Sequence, residues 1–198
     1  MKVIGINGSA RKDGNTAIIL RLVLAELEKN GIEAELIQLA DREILPCRGC
    51  FACRARPECA IRTDDFGAVF TAVCRADGLL LGSPVYSADV SAKMKAFLER
   101  AGAVTAFSPG LLKHKIAAGV AAVRRGGGLN AVDTLNHFFL NKEMIVVGST
   151  YWNMVYGKEP GDVAGDAEGV NNMRNLGMNM AWLLQKLHSG APEAARKK

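Results

Sequence analysis

Residues 78–85 (GLLLGSPV) form a continuously apolar run of strand length, the pattern of a β-strand covered on both faces. Residues 32–39 (IEAELIQL) alternate polar and apolar instead, as an edge strand does. A chain holding both needs a sheet whose centre lies under helices and whose margin meets water. The remaining sequence supplies it. Lys2–Asn7 (KVIGIN), 115–123 and 144–148 read as further strands, and 15–28 carries Ile19, Val23 and Leu27 at helical spacing. Further helices are predicted near 64–75, 92–103, 129–140 and 168–187. Five β-α units in alternation predict a parallel, doubly wound sheet with right-handed crossovers and helices on both faces. Such sheets bind ligands beyond the carboxyl ends of their strands.

With 198 residues the chain suits one domain, taken as 1–188 with an insertion at 46–62, and the Ala-, Lys- and Arg-rich residues 189–198 read as a loose tail. A hydrophobic share of 49% with 23% charged residues, and no twenty-residue apolar run, exclude a disordered or membrane-spanning chain. The opening MKVIGINGS passes straight into a strand pattern without the features of a secretory signal, so a cytoplasmic protein is expected. The net charge of +5 is scattered, except around the cysteines and in the tail. Nucleic acid and membrane partners are therefore not expected, and an anionic cofactor or an acidic protein fits better.

Gly8 to Thr16 (GSARKDGNT) joins the first strand to the first helix. Unpaired N–H groups and the helix dipole favour a phosphate there, and Ser9, Asn15 and Thr16 add side-chain donors. The loop lacks both the Gly-Lys-Ser/Thr ending of a P-loop and the G-x-G-x-x-G of a dinucleotide fingerprint. Its plainer reading is a turn capped by Ser or Asn.

The pattern G-S-x-R-x-x-G-N-T resembles the phosphate loop of the NADPH-dependent FMN reductase and iron-sulfur flavoprotein family. Two more stretches carry the resemblance: residues 82–88 (GSPVYSA) before a helix with Lys93, Lys95 and Phe97, and 123–128 (VRRGGG) after the fourth strand. The resemblance implies a flavodoxin-like five-stranded sheet of order 2-1-3-4-5 that binds FMN. Ser9, Arg11, Gly14, Asn15 and Thr16 would hold the phosphate. Pro84, Val85, Tyr86, Gly126 and Gly127 would flank the isoalloxazine ring, with Ser87 and Arg124 also expected among the cofactor-binding residues. It also implies a homodimer or homotetramer with contacts near the flavin, for which the long segment 151–168, bearing Trp152 and Tyr156, is the candidate; an ordinary packed Ω-loop is its other reading.

Cys47, Cys50, Cys53 and Cys59 give C-x2-C-x2-C-x5-C, a spacing that suits one metal site in a chain with no secretory signal. Thiolates bind either a [4Fe–4S] cluster or tetrahedral zinc. Successive C-x2-C steps favour the cluster over the paired knuckles of a zinc ribbon, and the run resembles the compact motif of iron-sulfur flavoproteins. Arg48, Arg54, Arg56 and Arg62 would attract an acidic, ferredoxin-like donor, unless they are simply solvated. Cys50 and Arg56 also fit C-x5-R, the cysteine phosphatase spacing, but Cys53 crowds that loop, Pro57 removes an amide and no glycine lies within it. Cys74, Leu135, Phe138 and Phe139 read as core, and His114 and His137 stand alone.

The expected function is therefore an FMN-dependent oxidoreductase or electron-transfer flavoprotein. The flavin carries the chemistry, so no catalytic dyad is needed. Electrons would enter from NAD(P)H or through the cluster. A cluster-free NAD(P)H-dependent FMN or quinone reductase and a non-enzymatic flavin- or zinc-binding redox sensor are the alternatives.

Overall fold

The structure, a computed structural model, describes residues 1–190. Its strands are β1 (Lys2–Asn7), β2 (Glu33–Gln38), β3 (Gly78–Pro84), β4 (Ile116–Val123), β5 (Ile145–Val146) and β6 (Met154–Tyr156), and its helices α1 (Asn15–Lys29), α2 (Phe66–Arg75), α3 (Ala92–Ala106), α4 (Gly128–Asn141) and α5 (Ala167–Gly190). The tail expected at 189–198 lies outside the described residues from 191 onward. The sheet is parallel throughout in the order β2-β1-β3-β4-β5, with β6 also on β4.

Burial follows the sequence pattern. β3 is buried at all but its last residue and β4 throughout, whereas β2 alternates at the margin. One apolar layer joins the sheet to α2, α3 and α4 through Leu81, Phe66, Phe97 and Leu135. The other joins it to α1 and α5 through Leu80, Val120, Leu20, Val23 and Leu176. Each such fully buried aliphatic side chain contributes roughly 1.5–3 kcal/mol relative to exposure.

The fifth strand differs from expectation. It forms in two pieces on one edge of β4, with Ile145–Val146 beside Ile116 and Ala117 and Met154–Tyr156 beside Ala121 to Val123. Val147 and Asn153 still bond to the β4 backbone, and the residues between them leave the ladder as side chains engage their backbone instead. Asn172 accepts from the Tyr151 N–H and donates to the carbonyls of Tyr151 and Trp152, while the Ser149 hydroxyl reaches the Tyr151 carbonyl. No helix among the described residues is long and apolar enough to cross a membrane.

Candidate functional site

The carboxyl ends of β1, β3 and β4 deliver three loops to one edge of the sheet. The first is built on Asn7, wholly buried, whose carboxamide oxygen accepts from the Ser9 N–H at 2.9 Å. The Ser9 hydroxyl then accepts from the Arg11 N–H at 3.0 Å, turning the chain toward α1. Gly14 occupies the N-cap and offers no side chain, so the plain turn capped by Ser or Asn does not occur. The N–H groups of Asn15, Thr16 and Ala17 precede the first intrahelical bond, from Ile18 to Gly14, and form the electropositive end of the helix. Thr16 is almost wholly buried, lines the cavity at this helix end, and its hydroxyl has no partner among the described residues.

Asn15 has a second engagement besides its place in the cavity lining. Its carboxamide, read from the sequence as a phosphate donor, is engaged by the Gly161 N–H at 2.8 Å and the Glu159 carbonyl at 3.0 Å. It ties the first loop to the segment after β6, and one of its two carboxamide N–H groups is used in doing so.

The second loop is a tight turn. Tyr86 and Asp89 exchange backbone hydrogen bonds of 2.9 and 3.1 Å, and Ser87 (φ 49°) and Ala88 (φ 63°) between them are both left-handed. This is the geometry of a type I′ turn, which ordinarily takes Gly, Asn or Asp. The Asp89 carboxylate fixes it by accepting from the Thr134 hydroxyl and the Val90 N–H. Burial pushes that carboxyl up, but those bonds and nearby Lys95 hold it below the usual range. Tyr86 is left 44% exposed and lines the site.

The third loop packs on the second. Gly127 has φ 81°, and a Cβ there would lie 2.8 Å from Ala88 Cα and 2.9 Å from Val85 Cγ1. Its glycine is thus required by the loop contact itself. Gly126 is different, because a Cβ there would meet nothing within 4 Å.

Ser9, Arg11, Gly14, Asn15, Thr16, Pro84, Val85, Tyr86 and Arg124 converge on a single cavity of about 380 Å³. Gly126 and Gly127 line a neighbouring cavity of about 500 Å³ with Tyr151, Trp152 and Tyr156, and Ser87 lines neither. Gly157, Lys158 and Glu159 complete the first cavity and were not legible as site residues. Lys158 pairs with Glu159 at 3.1 Å, while the guanidinium groups of Arg11 and Arg124 have no acidic partner among the described residues, so the cavity favours an anion.

The four expected thiols also come together. Cys47, Cys50, Cys53 and Cys59 line one cavity against α3, with Cys47 and Cys50 exposed, Cys59 half-buried and Cys53 buried. The loop is shaped by left-handed Gly49 and Phe51, and Phe51 meets Phe107 edge-on at 6.3 Å with the Arg54 guanidinium over both rings. The Gly49 N–H points to Cys47 Sγ at 3.5 Å, and the buried Arg100 donates to Cys59 Sγ at 3.3 Å. Burial pushes the Cys53 thiol up, and its neighbours Cys59, Cys47 and Cys50 push the same way. Among the described residues no three Cys, His, Asp or Glu side chains are placed to hold a single metal ion. Zinc needs its sulfurs about 2.3 Å from one point, whereas a four-iron cluster takes one thiolate at each iron, so four thiols spread around one cavity can serve a cluster without meeting at a point. The enclosed space of about 50 Å³ is small, and the exposed thiols of Cys47 and Cys50 would have to complete the cage from the solvent side.

Other expectations can be placed. Leu135, Phe138 and Phe139 are buried, and Cys74 is half-buried against the core, its thiol pushed up by burial. Of the four loop arginines, Arg56 and Arg62 share Glu58 and Arg54 lies over the two rings, while Arg48 has no partner among the described residues. Arg100, which the sequence reading passed over, stands beside Cys59 and pairs with Asp64.

Residues 1–159, a span including all three loops and the four cysteines, match the NADPH-dependent FMN reductase family. The chain belongs to this family. An iron-sulfur flavoprotein of Methanocaldococcus jannaschii is 40% identical over 93% of the chain and 98% of its own length. Among solved structures, RosB with the bound intermediate 8-demethyl-8-formylriboflavin-5′-phosphate superposes with TM-score 0.76 at 18% identity, covering 100% of this chain and 87% of RosB. A flavodoxin from the domain Archaea gives 0.62 at 14% identity, covering 93% and 99%. The fold is flavodoxin-like and doubly wound, as the alternation of strands and helices requires.

Proposed function

We propose that the chain binds FMN in the cavity at the ends of β1, β3 and β4, and exchanges electrons between this flavin and a [4Fe–4S] cluster held by Cys47, Cys50, Cys53 and Cys59. The observation that carries the flavin reading is the convergence of an uncapped helix start, two unpaired arginines and the Tyr86 turn on one cavity. The phosphate end would take the Ser9 to Thr16 loop, with N–H groups of α1 and the Thr16 hydroxyl as donors. Tyr86 and Pro84 would bound the ring, and the open space at Gly126 admits a polar ring edge without a side chain in the way. When bound, the flavin supplies transfer of a hydride or of single electrons, and the cluster supplies single-electron transfer. The protein's part is to hold and orient these groups and to exclude water.

Exposed Arg48 gives the cysteine face an unpaired cation, which favours an acidic ferredoxin-like donor. Tyr151, Trp152 and Trp182, each more than half exposed, are the surface we assign to a homodimer or homotetramer contact. The second reading is a cluster-free NAD(P)H-dependent reductase, favoured by the small enclosed space and by Cys53 Sγ donating to the Ala103 carbonyl at 3.5 Å. Anaerobic titration of the bound flavin separates the two. The first reading expects a reduced ferredoxin to bleach the flavin faster than NADPH does, with cysteine variants losing that advantage. Bleaching by NADPH alone, unchanged in Cys50→Ser, would establish the second.

A further inference from the structure

Arg100 is 1% exposed, on the stripe of α3 that Phe97, Ala101 and Val104 make apolar. A guanidinium seldom occupies such a position unless it is fully engaged. Here it forms a two-pronged pair with Asp64, through Nη1 to Oδ2 and through Nη2 to Oδ1 at 3.1 Å, and lies 4.1 Å over the Phe66 ring. Three further contacts reach the cysteine loop. Nη1 donates to the Leu45 carbonyl at 3.2 Å, Nη2 to the Ile61 carbonyl at 3.0 Å, and Nη2 to Cys59 Sγ at 3.3 Å. Asp64 closes the circuit by accepting from the Leu45 N–H at 2.8 Å.

Leu45 and Ile61 stand at the two ends of the segment that carries all four cysteines. That segment contains no strand and only one short 3-10 turn, Ala52–Arg54, so little of its own backbone bonding fixes its shape. One buried fork therefore joins its beginning, its end and one of its thiols. The Nε–H of the same guanidinium is buried with no hydrogen-bond partner, although Arg100 lines the thiol cavity. Leaving such a donor unpaired is costly, and an anionic group held by the thiolates would remove that cost.

We propose that Arg100 is the positioning residue of the cysteine site: its guanidinium closes the loop between Leu45 and Ile61, holds Cys59 by its sulfur, and raises the reduction potential of the cluster. A cationic donor on a ligand sulfur stabilises the more negative, reduced state of a cluster. Because Asp64 balances the charge of Arg100, the effect on the potential comes from the directed hydrogen bond more than from net charge. The electrochemical half rests on the cluster reading above, whereas loop closure rests on the contacts alone.

The test uses the full-length protein as purified without oxygen, with Arg100→Lys and the double variant Asp64→Leu/Arg100→Met. The first keeps a charge but gathers its donors on one atom, so it cannot form the two-pronged pair with Asp64 while also reaching Leu45, Ile61 and Cys59. The second replaces the buried pair by apolar groups, which folded proteins commonly tolerate. Trypsin should cut after Arg48 and Arg54 about tenfold faster in both variants, with other sites unaffected. Redox titration followed by EPR should show the cluster midpoint lowered while the FMN midpoint in the same sample stays put. Unchanged cleavage overturns loop closure, and an unchanged cluster midpoint at full iron content overturns the tuning. Iron-free wild-type protein would refute the cluster reading and its potential together, with the cleavage result still deciding loop closure. Global unfolding of both variants would overturn the local role by showing that the pair supports the whole fold.

Discussion

The Asn15 carboxamide accepts a hydrogen bond from the Gly161 N–H at 2.8 Å, so the first residue of α1 holds a segment 146 positions further along the chain. The same side chain donates to the Glu159 carbonyl. Asn15→Ala removes both bonds, each contributing about 1 kcal/mol. We expect FMN affinity to fall about tenfold, and trypsin to gain access to Lys158, which lines the cavity. Weakened FMN binding with Lys158 still protected would show that Asn15 acts on the cofactor directly and that the tether is incidental.

Neighbouring glycines at the β4–α4 junction should behave differently. Gly127→Ala forces a left-handed Ala against the backbone of Ala88 and should cost about 2 kcal/mol of stability in urea unfolding without any flavin. Gly126→Ala places its methyl in open space, so the apoprotein should unfold normally while FMN affinity drops. Equal effects from both substitutions would contradict the assignment of Gly126 to the ring edge.

The left-handed pair at Ser87 and Ala88 carries strain that glycine would relieve. Ala88→Gly should stabilise the apoprotein by about 1 kcal/mol and raise Tm by roughly 2–4 °C in calorimetry. A fall in Tm would mean that the Ala88 methyl group contributes more by packing than its backbone loses by strain.

Acid should weaken the fold partly through Asp64. Burial raises its carboxyl, but Arg100 and the backbone N–H groups of Leu45 and Phe66 outweigh burial and hold it below the ordinary value near 3.9. With the folded value below the unfolded one, this stabilisation is complete above about pH 4 and is withdrawn as pH falls from there through the folded value. The double variant Asp64→Leu/Arg100→Met should lose less stability than the wild type between about pH 6 and pH 3 in urea unfolding. Equal losses would show that other carboxylates govern the acid limb.

Local patterns made most of the fold legible. The apolar run at 78–85 and the alternation at 32–39 placed a central and a marginal strand within two residues of their observed ends. β6 escaped because three residues, Met154 to Tyr156, show no period, and because the chain breaks away from β4 through side-chain bonds from Asn172. Short-range motifs brought the cysteines and the first loop to light, since their members are near neighbours in sequence. The Asn15 tether was invisible because its partners are a glycine amide and a carbonyl far along the chain. Arg100 could have been found, because it interrupts the i, i+3, i+4 stripe of Phe97, Ala101 and Val104, and a charge in that place needs a partner.

Anaerobic purification followed by counting iron, acid-labile sulfide and FMN against protein tests the central claim most directly. The expected result is about four irons, four sulfides and one FMN per chain, with iron lost in Cys53→Ser and FMN retained. Bound FMN without iron or sulfide, or a single zinc in their place, would contradict the cluster, and the absence of FMN would contradict the whole reading.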